Sequence, residues 1–187
     1  MSLTPEMLAA NAEVLEQLSW SFDLCFGADP AQPQWFSVDG VDAIRPIARD
    51  STGGVFALLA GSPRVLYVSS EGAAGILAAS LEEFINLVVA CPYWHDLLKF
   101  SGNGNLDEMR RAAAVLDAGT VGDDDLAEAR GLLKSLLGLP NPLDSVGSLH
   151  QAVSTSNVVV RGLDGGVYRS LFNSFVIDED RMRRLLG

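Results

Sequence analysis

The sequence predicts an α+β fold in which a mostly antiparallel sheet is flanked by helices. Three observations lead there. Strand-like runs at 43–49, 55–59 and 64–69 follow one another with only turns between them, which suits an antiparallel meander and not a chain of βαβ units. Val55-Phe-Ala-Leu-Leu59 and Val65-Leu-Tyr-Val68 are apolar at successive positions, so these strands are expected to be covered on both faces, with helices as the cover. Capped helical patterns stand on either side of this block in the chain.

The elements follow in order. Thr4 and Pro5 supply an N-cap and a first-turn proline, and Leu8, Leu15, Leu18 and Phe22 recur near a 3.6-residue period, predicting an amphipathic helix over residues 4–20. The aperiodic run from Gly27 to Gln34, with Pro30 and Pro33, reads as a loop leading to Trp35 and Phe36, and it is the best candidate boundary. Turns at 50–54 and 61–63 separate the meander strands. Ser80-Leu-Glu-Glu83 is a capping box ahead of Leu81, Phe84, Ile85, Val88 and Val89, which share one helical face. That helix must end before Pro92, because the residue preceding proline avoids the α region. A short helix at 94–100 runs into Gly102-Asn-Gly104.

Asn105-Leu-Asp-Glu108 opens a helix to Ala118, and Asp123, Asp124 and Asp125 open another that reaches Leu137 before Pro140 and Pro142. A weak helical segment surrounds Leu149. Val158 to Arg161 and Val167 to Phe172 are expected to form a hairpin about Gly162-Leu-Asp-Gly-Gly166. A helix near 178–186, acidic at its start and basic at its end as the helix dipole favours, closes the chain. Residues 49–56 and 161–168 echo each other as Arg, a turn, Gly-Gly, Val and an aromatic, a likeness that shared turn chemistry explains without a duplication.

A chain of 187 residues suits one domain spanning 1–187. It carries 13 Lys+Arg against 24 Asp+Glu, a net charge of -11 that repels phosphate backbones and anionic membrane surfaces. Nucleic acid and membrane are therefore expected not to be partners. No Lys or Arg precedes Arg45, whereas a secretory signal needs positive charge at its start, and no apolar run approaches the ~18 residues of a membrane span. The expected location is the cytoplasm. Cys25 and Cys91 do not form a CxxC pair or suggest a disulfide framework.

Catalytic and cofactor signatures are missing. There is no GxxxxGK[ST], GxGxxG, GxSxG or HExxH, and Gly102-Asn-Gly104 reads as a plain turn. The aspartates at 123–125 lack the bend glycine of a calcium loop and read as a helix start. His95 and His150 are the available imidazoles; Cys91 lies four residues before His95, but no further metal ligand or orienting group accompanies them. The expectation is a protein that is not an enzyme and holds no cofactor. Glu82 and Glu83 point apart on their helix and read as a solvated face. Tyr93 and Trp94 read as core packing.

The segments Ile47-Ala-Arg-Asp-Ser-Thr-Gly-Gly-Val-Phe-Ala-Leu-Leu59, Val65-Leu-Tyr-Val-Ser-Ser-Glu-Gly72 and Ala79-Ser-Leu-Glu-Glu-Phe-Ile-Asn-Leu87 together resemble the SUKH superfamily, the bacterial immunity proteins related to the yeast cell-wall-assembly regulator. What carries the resemblance is order: a strand ending in Ala-Arg-Asp, a glycine turn, an apolar strand, an aromatic before Ser-Glu, and a Ser-Leu-Glu-Glu-Phe helix. It covers about residues 40–100 and leaves 101–187 as a helical and hairpin extension. The resemblance implies a twisted antiparallel sheet with flanking helices, and a protein that neutralises a toxin by binding it, with no catalytic residues.

The leading expectation is thus a protein-binding module of the immunity type. Its acidic surface would steer a cationic toxin, with Trp35 as an anchor and Asp39, Asp42, Asp123, Asp124 and Asp125 as contacts. The alternative is a small-molecule-binding or regulatory domain whose pocket lies between the sheet and the helices of 105–137.

Overall fold

The protein's structure, a computed structural model, is described over residues 3–27, 35–178 and 180. The predicted loop at 28–34 and nearly all of the predicted closing helix lie outside the described residues. The fold is α+β. A five-stranded antiparallel sheet has the order β1 (Cys25–Phe26), β3 (Ile44–Arg49), β4 (Val55–Leu59), β5 (Val65–Val68), β6 (Ala74–Ala78), while β2 (Phe36–Val38) pairs antiparallel with β7 (Val160–Gly162) in a separate ribbon. The three expected meander strands are β3, β4 and β5. β6 joins them although its Ala-Gly-Ile-Leu-Ala sequence carries little strand preference.

The register sorts the sheet's side chains into two faces. Ala48, Phe56, Tyr67 and Gly75 are cross-strand partners on one face, which packs into the larger core. There Phe56 stacks between Tyr67 and Phe84, with ring centroids 4.8 and 5.0 Å away, and Trp94 closes edge-on at 5.9 Å. On the other face Val55, Leu66, Val68 and Ile76 form a second core. Both faces are covered, as the apolar runs require. The expectation that helices supply the whole cover is corrected: Phe36, Val38 and Val160 of the β2–β7 ribbon cover the second face, and Ala152 packs beside them.

Seven helices complete the described structure. The single helix expected over 4–20 is two, α1 (Pro5–Ala9) and α2 (Ala12–Phe22). Asn11 breaks the pattern by taking an extended backbone, from which its side chain accepts the amide of Val14 at 3.2 Å. In α3 (Leu81–Ala90) Ser80 caps as expected, accepting from the Glu83 amide at 3.1 Å, while the Glu83 carboxylate reaches one residue past the cap to accept from the Ala79 amide at 3.0 Å. Next come α4 (Trp94–Lys99), α5 (Leu106–Ala118), α6 (Asp124–Leu137) and α7 (Ser145–Ser154). Arg130 of α6 donates to the carbonyls of Val89 and Ala90, satisfying the otherwise open end of α3. α7 lies along β6, giving Leu149 and Val153 to the larger core and Ala152 to the smaller.

The expected hairpin at 158–172 forms only at its turn. Tyr168 donates to the Val160 carbonyl at 2.9 Å, but β7 spends its ladder on β2, so the return limb never becomes a strand. It swings away instead. Arg169 bridges in parallel to Ala73, and Asn173 and Phe175 bind Leu98, Asn103 and Gly102 through the backbone. Residues 169–175 thus strap the sheet's end to the exit of α4.

Candidate functional site

The strap, α4 and the loops at one end of the sheet enclose a cleft of about 650 Å³. Thr52 of the β3–β4 turn and Tyr67 of β5 line it, and both are held by Asp50 behind them. Asp50, whose side chain is 1% exposed, accepts from the Thr52 amide at 3.0 Å, the Thr52 hydroxyl at 2.7 Å and the Gly54 amide at 2.8 Å with Oδ1. Its Oδ2 accepts from the Tyr67 hydroxyl at 2.7 Å. Burial alone would raise this carboxyl's pKa, but the donors from Tyr67, Thr52 and Gly54 outweigh it and hold the pKa below the ordinary value. The same environment drives the Tyr67 phenol's pKa upward, first by burial and then by its bond to Asp50. The phenol stays protonated and donates inward.

His95 lies beside this pair, its Nε2 3.7 Å from Asp50 Oδ2, with the ring 45% exposed and packed on Trp94. Burial lowers its pKa, against the opposing pull of Asp50, Asp23 and Asp96. The separation exceeds hydrogen-bond length, and Asp50 already accepts four bonds, so this carboxylate is committed to the turn and does not orient the imidazole. Gly54 makes the arrangement possible: a Cβ there would stand 2.4 Å from Asp50 Oδ2 and 2.5 Å from the Tyr67 hydroxyl. Asp50 and Gly54 of the β3–β4 turn and Tyr67 of β5 thus meet in one network.

The other chemically suggestive residues hold structure. His150 Nε2 lies 2.8 Å from the Gly104 carbonyl, and its ring packs on Phe172. The Cys91 thiol ends α3 inside the core, where burial pushes its pKa up and away from thiolate chemistry. Gly102, Asn103 and Gly104 all have positive φ, but their amides donate to Phe175, Asn173 and Ser101 and cradle no phosphate. Trp94 is buried in the core, as its position after α3 suggested. Among the described residues no cluster of His, Cys, Asp and Glu is placed to hold a metal, and no helix is long and apolar enough to cross a membrane.

The six expected partner contacts separate. Trp35 is half-buried, edge-to-face with Phe36 at 5.2 Å and beside Tyr168. Asp39 receives Arg161 Nε at 3.0 Å on both oxygens, and Asp42 is exposed nearby in the chain. These three accompany the ribbon on one side of the sheet. Asp123, Asp124 and Asp125 belong to the start of α6, whose Ala129 and Leu133 pack on the opposite side. Asp123 is the N-cap, accepting from Leu126 at 2.9 Å. The pocket expected beside the 105–137 helices is not the main cleft, which no residue of that range lines.

Asp125 does line a smaller groove of about 410 Å³ between α2 and α6, together with Glu16, Glu128 and Trp20. Trp20 is 84% exposed. It stands two residues from both Leu18 and Phe22, near the far side of a helix whose buried stripe those residues mark, a signal that helical geometry alone supplies. Among the described residues, none of Glu16, Asp125 and Glu128 pairs with a Lys or Arg. No family model, curated protein or solved structure matches the chain.

Proposed function

We propose that the protein is a protein-binding module of the immunity type, and that its partner is a basic protein seated on the α2–α6 groove. The observation that carries this reading is Trp20, an indole left in solvent beside three carboxylates that no cation of the described fold neutralises. Trp is the side chain most enriched at binding hot spots, and burying its apolar area under a partner would recover what exposure forfeits. Carboxylates at the start of α6 are partly explained by the helix dipole, but Glu16 in the middle of α2 and Glu128 beyond the first turn of α6 are not. The net charge of -11 and the order of motifs over residues 47–87 point the same way.

The test is a quantitative capture from the source cells with the purified chain as bait, followed by assay of the captured protein. A basic partner whose association rate falls steeply with salt, and whose binding weakens at least ~100-fold with Trp20→Ala and ~10-fold with Glu16→Lys, is expected. Its own activity should fall as this chain is added. A partner indifferent to both substitutions would overturn the assignment of this groove.

A further inference from the structure

We propose that the cleft under the strap binds a small zwitterion, a free amino acid with an apolar side chain. Independent of the α2–α6 groove, this rests on how the charges of the cleft are left by the fold. Two cations line it. Lys99 has no carboxylate within ion-pair distance among the described residues, and its ammonium lies 5.4 Å from the Phe100 ring centroid. Among the described residues Arg169 meets only Glu71, at 3.9 Å, with both side chains largely exposed. Asp23 and Asp96 also line the cleft, and neither pairs with a Lys or Arg among the described residues. Asp23 instead accepts the Ser51 amide at 2.9 Å and hydroxyl at 2.8 Å, which fixes its position at the rim. The cleft therefore offers both signs of charge: among the described residues Lys99, Asp23 and Asp96 have no ion-pair partner of opposite sign from Lys, Arg, Asp or Glu, and Arg169 meets Glu71, itself part of the lining, at the outer limit of ion-pair distance.

The ligand's two ends follow from the donors and acceptors. Tyr67 spends its proton on Asp50, so its oxygen can only accept toward the cleft, and Asp23 and Asp96 accept as well. An ammonium suits that side. Lys99 and Arg169 offer donors to a carboxylate. A phosphate is disfavoured, because the carboxylates of the lining outnumber its cations. Phe175, half-exposed at the rim, gives an apolar side chain a surface to cover. The volume lies within the usual range of small-ligand sites.

The experiment titrates the full chain with L-phenylalanine and L-leucine, their N-acetyl and methyl-ester derivatives, and inorganic phosphate, read by calorimetry and thermal shift up to about 10 mM, enough to reveal a Kd near 1 mM. A saturable rise in Tm with at least one free amino acid is expected, weakened about tenfold or more by capping either end, and likewise by Arg169→Gln or Asp96→Asn. These side chains are exposed or half-exposed, and an unchanged ligand-free Tm verifies that each variant folds. Absence of binding by both free amino acids, equal binding of a capped derivative or of phosphate, or indifference to both substitutions would each overturn the proposal.

Discussion

The two turns that echo each other in sequence, at 49–56 and 161–168, put the same residue types to different use. In the first, the aspartate directly follows the arginine, at position 50, and points back under the turn to a hydroxyl of the third strand. In the second, the aspartate is three places along, at 164, where it is exposed and, among the described residues, accepts only the Gly166 amide at 3.0 Å. Gly54 is required because Asp50 of the same turn and Tyr67 of the neighbouring strand crowd it, whereas the atoms nearest a Cβ on Gly166 belong to the solvated Asp164 at 3.1 Å. A glycine pair and a β-branched residue therefore specify a turn, and the place of the acid decides whether that turn becomes a fixed point of the core.

Substitutions at matched positions can break or sharpen that contrast. The largest difference is expected between Asp50→Ala and Asp164→Ala: the first strands several buried donors and should cost about 3–5 kcal/mol, the second no more than ~0.5 kcal/mol, by chemical denaturation. Equal losses would erase the distinction. Gly54→Ala should cost about 2–3 kcal/mol against less than ~1 kcal/mol for Gly166→Ala. Thr52→Ala removes one of four bonds to Asp50 and should cost about 1 kcal/mol, with the Tyr67 hydroxyl still shielded from deuterium exchange.

Titration gives the smaller effects. Because the folded Asp50 pKa lies below 3.8, its contribution is complete above that pH and is lost as pH falls through the folded value, so Asp50→Asn should flatten the acid limb of the stability curve. His95 behaves in the opposite chemical sense but with the same pH direction: its folded pKa is below 6.5, so stability declines as pH drops from 6.5 toward the folded value. The half-exposed ring makes this the smallest change, and a stability curve unaltered near pH 6 by His95→Gln would remove it.

Much of the fold was legible because its signals are local. The caps at Ser80, Asn105 and Asp123 set helix starts through bonds within two or three residues. What escaped depends on distant chain. β2 is three residues long, and its partner β7 lies more than a hundred residues away, so no window of sequence joins them. β6 is held by its neighbours despite its Gly and Ala. At the candidate sites, Asp50 read as a turn residue because its tie to Tyr67 spans 17 positions. The emphasis on Trp35 reflected its proline-rich approach, while the exposed indole is Trp20, recoverable from its place off the buried stripe of α2. The arrangement of Lys99, Arg169 and Asp96 had no sequence signature, because the strap that brings Arg169 to α4 follows a hairpin that never completes.

The remote pairing of β2 with β7 also bears on how the chain is made. During synthesis the helices before residue 100 and the meander can assemble from near neighbours, but the second face of the sheet waits for Val160 to leave the ribosome. At ~5–20 residues per second, the interval between completing β6 and delivering β7 is about 4–16 s. Throughout it, Val55, Leu66, Val68 and Ile76 form an uncovered apolar strip on a nascent protein, a natural foothold for a chaperone and the stage at which truncated chains should aggregate.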